Sequence, residues 1–587
     1  MQLRKDIPEI YKWDIGLFKT KEEIEQVINY LEELTNKAPS YYGKFNKPDV
    51  FFDFFYSDLD KTIKIHQLYF YVSNMQSIDG ADIDIKKLLQ RIEIAETKHE
   101  QAYSFVGAQM SKLPTKYLKE LLLDPRAKDI ENTIKSLIIS KKHALDEKTS
   151  KTVADLTMSF ADNRTVFDII TDMEMPFEDA VDSNGKTYPV KEATYRQYIV
   201  SEDRKLRKTA FNSIMNGYKN FNQTFGALFI KEMQADNAFV KLAKFKTKLE
   251  KTLFDYVPEK VFRNNIKFVT ENTQILQEFV STVAKDSKLN DFAYYDLFAD
   301  EKISGDISIE EGQKIILEAL TPLGVDYINR VKHKFNDKSI DYLPNKDKTS
   351  GAYCSNCYNT KTLILMNWVN DFDSVSTLAH EMGHCINAEY FIEFQPIFKA
   401  EIPIFSAEIA STVNEILLNQ HMLKTCNESE KAYYLKEFLN QVRSTIFRQT
   451  LFTEFELYAH ESIEKETPIT QEELNNKYFE LNQKYYGSSC VLPENLKYEW
   501  SRIPHFYRPY YVFTYSTGLI TAITIAQKLL NESDFAEKYI YFLKNGSNKK
   551  PVEILKEIGI DLTTDKPYKT AFNFIKEQLK NYKSLCK

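Results

Sequence analysis

Leu378-Ala379-His380-Glu381-Met382-Gly383-His384 places an H-E-x-x-H arrangement in an apolar run of the chain. On a helix, residues four apart stand on one face, so His380 and His384 can aim two imidazoles at one metal ion. Zinc suits such ligands and lowers the pKa of its water to about 7. A carboxylate at Glu381 can take the proton as that water attacks a carbonyl, so the pattern predicts metal-assisted hydrolysis. The same letters also suit a surface helix with two idle histidines. The neighbouring sequence has to decide.

A catalytic zinc usually takes three protein ligands and keeps a fourth position open. Downstream, Ser406-Ala407-Glu408-Ile409-Ala410-Ser411-Thr412-Val413-Asn414-Glu415 reads as a helix with Glu408 and Glu415 on nearly one face. Glu408 can complete the ligand set, and Glu415 can accept the free ring N–H of a ligating histidine. Both read equally as solvated helix carboxylates, Glu415 above all. Glu389, Glu393 and Glu401 fall in less regular surroundings and are weaker candidates. The motif helix itself is expected to start near Asp373 or Ser374, either of which can cap it.

Upstream, Thr349-Ser350-Gly351-Ala352-Tyr353 is a turn-rich loop, and 362–368 is a short apolar run that predicts a strand. It is either a buried core strand, which the composition slightly favours, or an edge strand offering backbone groups to an extended peptide. Further on, Ile503-Pro504-His505-Phe506-Tyr507-Arg508-Pro509-Tyr510-Tyr511-Val512-Phe513-Thr514-Tyr515 is rich in the side chains that stabilise an oxyanion, although composition alone makes it an aromatic packing patch. Tyr511 and Tyr515, four apart, share a face if the segment is helical after Pro509. His66, His99, His143, His333, His421 and His460 have no comparable partners.

A chain of 587 residues exceeds one ordinary domain. Its net charge of -7 gives no electrostatic case for nucleic acid. Charges run through the first eighteen residues, and no window reaches the length of a membrane helix. A cytoplasmic protein with no membrane segment is expected. Six cysteines suit a reducing compartment, and Cys354-x-x-Cys357 lacks the second pair or the βαβ context of a zinc or redox site, so it reads as two ordinary thiols. Helices are expected over 21–34, with Thr20 and Glu23 as a capping box, and over 86–110 and 129–139. Asn184-Gly185 signals a hairpin at a lobe boundary. One or two long helices follow over 201–244, striped by Leu206, Ala210, Phe211, Ile214 and Met215, and Ser308 with Glu311 opens another.

Five stretches, taken in order, carry a family resemblance. They are Ser350-Gly351-Ala352-Tyr353, Ile364-Leu365-Met366-Asn367-Trp368, His380-Glu381-x-Gly383-His384, Ala407-Glu408-Ile409-Ala410-Ser411-Thr412 and Arg502-Ile503-Pro504-His505-Phe506. The chain resembles oligoendopeptidase F and, more distantly, thimet oligopeptidase, which are zinc metallopeptidases. Residues 201–218, with Glu202-Asp203-Arg204 and Arg207, resemble the part that joins the lobes of oligoendopeptidase F, and the first hundred residues carry the likeness weakly. The resemblance implies a mainly α, two-lobed zincin-type fold with a small β-sheet beside the H-E-x-x-H helix and a deep substrate channel. Its parts would be a mostly helical lobe over 1–190 and a catalytic domain over 191–587. It implies one zinc ion on His380, His384 and Glu408, Glu381 as general base and Glu415 in support. Gly351, Ala352, Tyr353, Met366 and Asn367 would align the peptide. His505 and the tyrosines after it would hold the oxyanion, Tyr510 matching without a gap and Tyr511 with Tyr515 after a one-residue shift. The shift is preferred because it keeps two tyrosines four apart. Substrates would be short oligopeptides cut internally. A dipeptidyl carboxypeptidase on the same scaffold would need a cation for the terminal carboxylate. A helical peptide-binding protein without catalysis is the third alternative, and the oligomeric state stays open.

Overall fold

The structure is a computed structural model and describes residues 2–157, 162–299 and 306–586. Helices dominate it, and local chemistry shows why they start and stop where they do. Thr20 Oγ1 accepts the Glu23 N–H at 3.3 Å, and Glu23 Oε2 accepts the Thr20 N–H at 3.4 Å, which opens the helix Lys21–Lys37 with the expected capping box. That helix buries Val27, Ile28, Leu31 and Leu34 against Ile65, Leu68, Val72 and Ile92 of the next long helices. The expected helix over 86–110 is two, Ile83–Tyr103 and Phe105–Lys112. They part at Ser104, whose N–H and hydroxyl both turn back to the Gln101 carbonyl. Farther along, Arg204–Asn220 and Asn222–Leu242 are the expected long helices, and the predicted stripe from Leu206 to Met215 is buried.

Packing groups the chain into two compact units, each made of three separated segments. The first takes Met1–Ala144, Ser304–Met422 and Ile525–Gly559, and the second takes Leu145–Ile303, Leu423–Thr524 and Ile560–Lys587. The expected division at residue 190 runs along the chain, whereas cores are shared between helices far apart in sequence. Within the first unit, Trp13, Ile15, Phe70 and Ile78 pack on Leu363 and Leu365. Within the second, Phe229, Phe455, Trp500 and Phe506 form one aromatic cluster, and the Arg448 guanidinium bridges to buried Glu499 at 3.0 Å.

Five short strands are present among the described residues: β1 Ala180–Val181, β2 Thr187–Tyr188, β3 Ile340–Asp341, β4 Tyr353–Ser355 and β5 Leu363–Leu365. β1 and β2 form the hairpin signalled by Asn184-Gly185, with Gly185 at φ +85° in the turn. The other three form a sheet in the first unit in the order β3-β5-β4, parallel on one side of β5 and antiparallel on the other. β5 is therefore the central strand and fully buried, so the edge-strand reading of 362–368 is corrected. Its partner β3 is two residues long and leaves no sequence pattern to announce it. The outer edge belongs to β4. β3 is tied down by Asp341, a buried carboxylate that accepts from Arg4 Nη2 at 2.6 Å, Lys348 Nζ at 2.7 Å and the Trp13 N–H at 3.3 Å.

The helix carrying the motif is Phe372–Phe394, and its cap is Asp371, two residues before the expected position. Asp371 Oδ1 accepts both the Ser374 N–H at 2.9 Å and the Ser374 hydroxyl at 2.8 Å, so Ser374 serves the cap as a donor. The helix Ile404–Thr425 crosses it at Gly383. A Cβ on Gly383 would stand 2.5 Å from Ser411 Cα and 2.7 Å from the Ala410 carbonyl oxygen, so only glycine permits this approach. Among the described residues, no helix is long and apolar enough to cross a membrane.

Candidate metal centre

The crossing of these two helices builds the site. His380 Nε2 and His384 Nε2 lie 3.2 Å apart, and each is 3.5 Å from Glu408 Oε2. Four-coordinate zinc with bonds of roughly 2.0–2.1 Å sets neighbouring ligand atoms roughly 3.3–3.4 Å apart. The triangle therefore has the size of one face of such a site, and the donor set of two imidazoles and a carboxylate suits zinc. It is the one group of three or more His, Cys, Asp and Glu residues that could hold a metal among the described residues. His380 Nδ1–H donates to Glu415 Oε1 at 2.6 Å, so once the ring is neutral its Nε2 carries the lone pair toward the triangle. Ser411 Oγ–H donates to Glu408 Oε2 at 3.3 Å.

Glu381 lies beside the triangle and is 7% exposed. Burial pushes its pKa up, against the pull of His380 and His384, and the Glu408 charge adds to the rise. Glu408 moves the other way, held down chiefly by its hydrogen bond to His384. For His380, burial favours the neutral ring, but the hydrogen bond and charge of Glu415 outweigh it and bring the metal-free pKa to about 9. That value stands above the ordinary 6.5, so the imidazolium stabilises the metal-free fold fully below pH 6.5, and this contribution is lost as pH rises through 9. Metal needs the deprotonated nitrogen, so zinc affinity should rise over the same span. Urea midpoints of the metal-free chain are expected to fall between these limits; a flat profile would remove Glu415 as the partner that holds the proton.

An open pocket of about 370 Å³ faces these groups. Its wall includes Ala352 and Tyr353 from the expected peptide-aligning set, Cys354, which reads from sequence as an ordinary thiol, and Ala388, Phe391 and Ile402, which sequence reading did not single out. Ala388 and Phe391 stand four and seven residues after His384 on its helix, a spacing that was open to notice. Gly351 takes φ +81° in the loop before β4. Asn367 donates to the Thr349 and Gly351 carbonyls at 3.0 and 2.7 Å and so pins that loop, while Met366 is buried just after β5. The Tyr353 hydroxyl is bonded to Asn74 Oδ1 at 3.1 Å. Cys354 and Cys357 are free thiols, the first raised by its bond to Cys385 and by burial, the second pushed by burial up to about 11.

In the second unit, His505, Tyr511 and Tyr515 come together. The His505 ring lies parallel to Tyr511 with centroids 6.2 Å apart, and the Tyr515 hydroxyl donates to Tyr511 Oη at 3.0 Å. Burial and the Arg164 cation push the His505 pKa down, which favours a neutral ring. Tyr511 precedes the helix Phe513–Asn531, so the two tyrosines do not meet across one helix face as expected. A left-handed turn at Tyr510, φ +57°, brings Tyr511 to its partner. Tyr510 itself is turned into the core, where its ring packs on Phe262 and His460 and its N–H donates to Glu456 Oε1 at 3.0 Å.

These features define a mostly helical H-E-x-x-H protein with one candidate centre of two histidines and a glutamate. Peptidase family M3 matches residues 197–574, and the chain belongs to that family. It is 31% identical to "Oligoendopeptidase F homolog" of Borreliella burgdorferi over 99% of both chains. It is 29% identical to "Oligopeptidase PepF" of Bacillus subtilis, covering all of this chain and 87% of that one. Among solved structures it is similar to a chain from Chlamydophila abortus, with TM-score 0.93, 29% identity and full coverage of both. Oligoendopeptidase-F from Enterococcus faecium gives TM-score 0.73 at 27% identity over 96% of this chain and 99% of that one.

Proposed function

We propose that this M3 peptidase is a zinc-dependent endopeptidase that hydrolyses internal bonds of short oligopeptides. The observation that carries the reading is the ligand triangle of His380, His384 and Glu408 beside the buried carboxylate of Glu381. A bound zinc ion would supply Lewis acidity to the scissile carbonyl and lower the pKa of the attacking water. Glu381 takes the proton of that water and returns it to the leaving amine, roles that a carboxyl raised by burial suits. Glu415 fixes the His380 tautomer. The oxyanion role of His505 and the tyrosines after it is carried over from the family resemblance; within the second unit Tyr515 donates to Tyr511, so the Tyr511 hydroxyl proton is not spent on that bond. The outer edge of β4 offers backbone groups to an extended chain. All six cysteines stand outside disulfides, which supports a cytoplasmic location.

One observation favours the carboxypeptidase reading. The Arg508 guanidinium lies 4.5 Å from the Tyr511 ring centre and has no carboxylate partner among the described residues, so it is available to a terminal carboxylate. Quenched peptides with both ends blocked separate the two. Internal cleavage that stops with a chelator and returns with zinc is expected. Cleavage confined to peptides with a free carboxyl end would establish the carboxypeptidase, and no cleavage of either after zinc loading would leave a binding protein.

A further inference from the structure

We infer that Asn414 is a positioning residue that sets the rotation of one ligand-bearing helix against the other, and through it the shape of the metal triangle. This rests on the metal reading proposed above. Asn414 is fully buried, and its Nδ2–H donates at 3.0 Å to the carbonyl of Ala379, the residue before His380. On its other side, the buried Tyr327 hydroxyl donates to Asn414 Oδ1 at 3.1 Å and so fixes which way the amide points. Asn414 itself precedes Glu415. A single amide thus joins the two helices directly behind the residues that face the metal.

The crossing geometry explains why such a bond is needed. At Gly383 the two backbones touch without an intervening side chain. That contact fixes how close the helices come, but a smooth backbone surface does little to stop one helix from turning about its own axis. Ligand atoms stand about 5–6 Å from a helix axis, so a turn of about 10° would carry Glu408 by about 1 Å. A metal site tolerates about 0.2 Å. The Glu415–His380 bond does not supply the missing restraint, because it grips an imidazole that can rotate with its partner. Asn414 grips the main chain.

The neighbours of Asn414 make the point by contrast. Val413, Ile416, Leu417 and Leu418 on the same helix are all buried apolar residues. An apolar side chain at 414 would pack there without any amide to desolvate. A lone amide in such a helix is the device by which paired helices specify register at a cost in stability.

Zinc affinity is the decisive measurement, made by competition with a chromophoric chelator on full-length Asn414→Leu and Tyr327→Phe. Asn414→Leu is expected to bind zinc at least about tenfold more weakly and to change the d–d spectrum of bound cobalt, while the metal-free protein still unfolds cooperatively, at a lower temperature because the Tyr327 hydroxyl loses its acceptor. Tyr327→Phe, which keeps the Ala379 bond but frees the amide to turn, should lose about threefold. Affinity within twofold of the unaltered chain in both variants would overturn the inference. If Asn414→Leu does not fold, Tyr327→Phe decides alone, a threefold loss supporting and an unchanged affinity overturning. An unaltered chain that takes up no zinc would strike the metal reading itself, whereas equal binding by all three chains would strike Asn414 alone.

Discussion

In Glu381→Gln, kcat is expected to fall by about 10³- to 10⁴-fold while zinc stays bound and KM changes little. Glutamine has nearly the volume of glutamate, so the pocket wall beside His380 and His384 keeps its shape, but its amide cannot accept a proton. Glu381 is outside the ligand triangle, which is why metal content should survive. The stability prediction has a definite sign. Burial raises the carboxyl pKa above its unfolded value, so the ionised group works against the fold at neutral pH, and a neutral replacement should melt at an equal or higher temperature. Turnover within tenfold of the unaltered enzyme would mean that the base is another group.

Gly383→Ala is expected to damage both stability and metal binding. The added Cβ would meet Ser411 Cα at 2.5 Å and Ser411 N at 2.8 Å, where carbon contacts normally settle near about 3.5–4.0 Å. Those atoms are main chain and have no rotamer to change, so the helices must separate by about 1 Å. Overpacking of this kind costs about 1–3 kcal/mol or more, and only part is offset by the roughly 1 kcal/mol that alanine gains over glycine in a helix. The metal then meets ligands displaced beyond its tolerance. Gly107 provides the control: it lies in the helix Phe105–Lys112 with nothing within 4 Å of a new Cβ, so alanine there should stabilise. A urea midpoint for Gly383→Ala equal to that of the unaltered chain, with full zinc content, would contradict the crossing.

The candidate metal triangle was legible because its spacing is local. Four residues separate His380 from His384, and the helix repeat alone decides that they face one way. Glu408 followed from the next helix and the need for a third ligand. Other parts were not legible, for physical reasons. β5 became a central strand because β3, two residues long, pairs with it from outside any readable pattern. The bonds that hold β3 join Arg4 to Asp341, and such distant partners leave no periodicity. Tyr511 reaches Tyr515 through a left-handed turn at a tyrosine, a conformation that sequence propensity disfavours. Two signals were present without being weighed: a glycine in a helix interior, which needs a packing reason, and a lone amide among buried aliphatic residues at 414.

The segmented make-up of the first unit also bears on how the enzyme is made. Its last segment ends at Gly559, and the helix Phe535–Lys544 within it packs on the motif helix Phe372–Phe394. At about 5–20 residues per second, a chain leaving the ribosome shows the motif helix roughly ten seconds before that covering helix exists. Through this interval the face of the motif helix around Tyr390 and Phe394, which Lys544 later covers, is open to other chains. Ribosome-bound chains halted before residue 535 should therefore not stay soluble without a chaperone, whereas the full-length chain should.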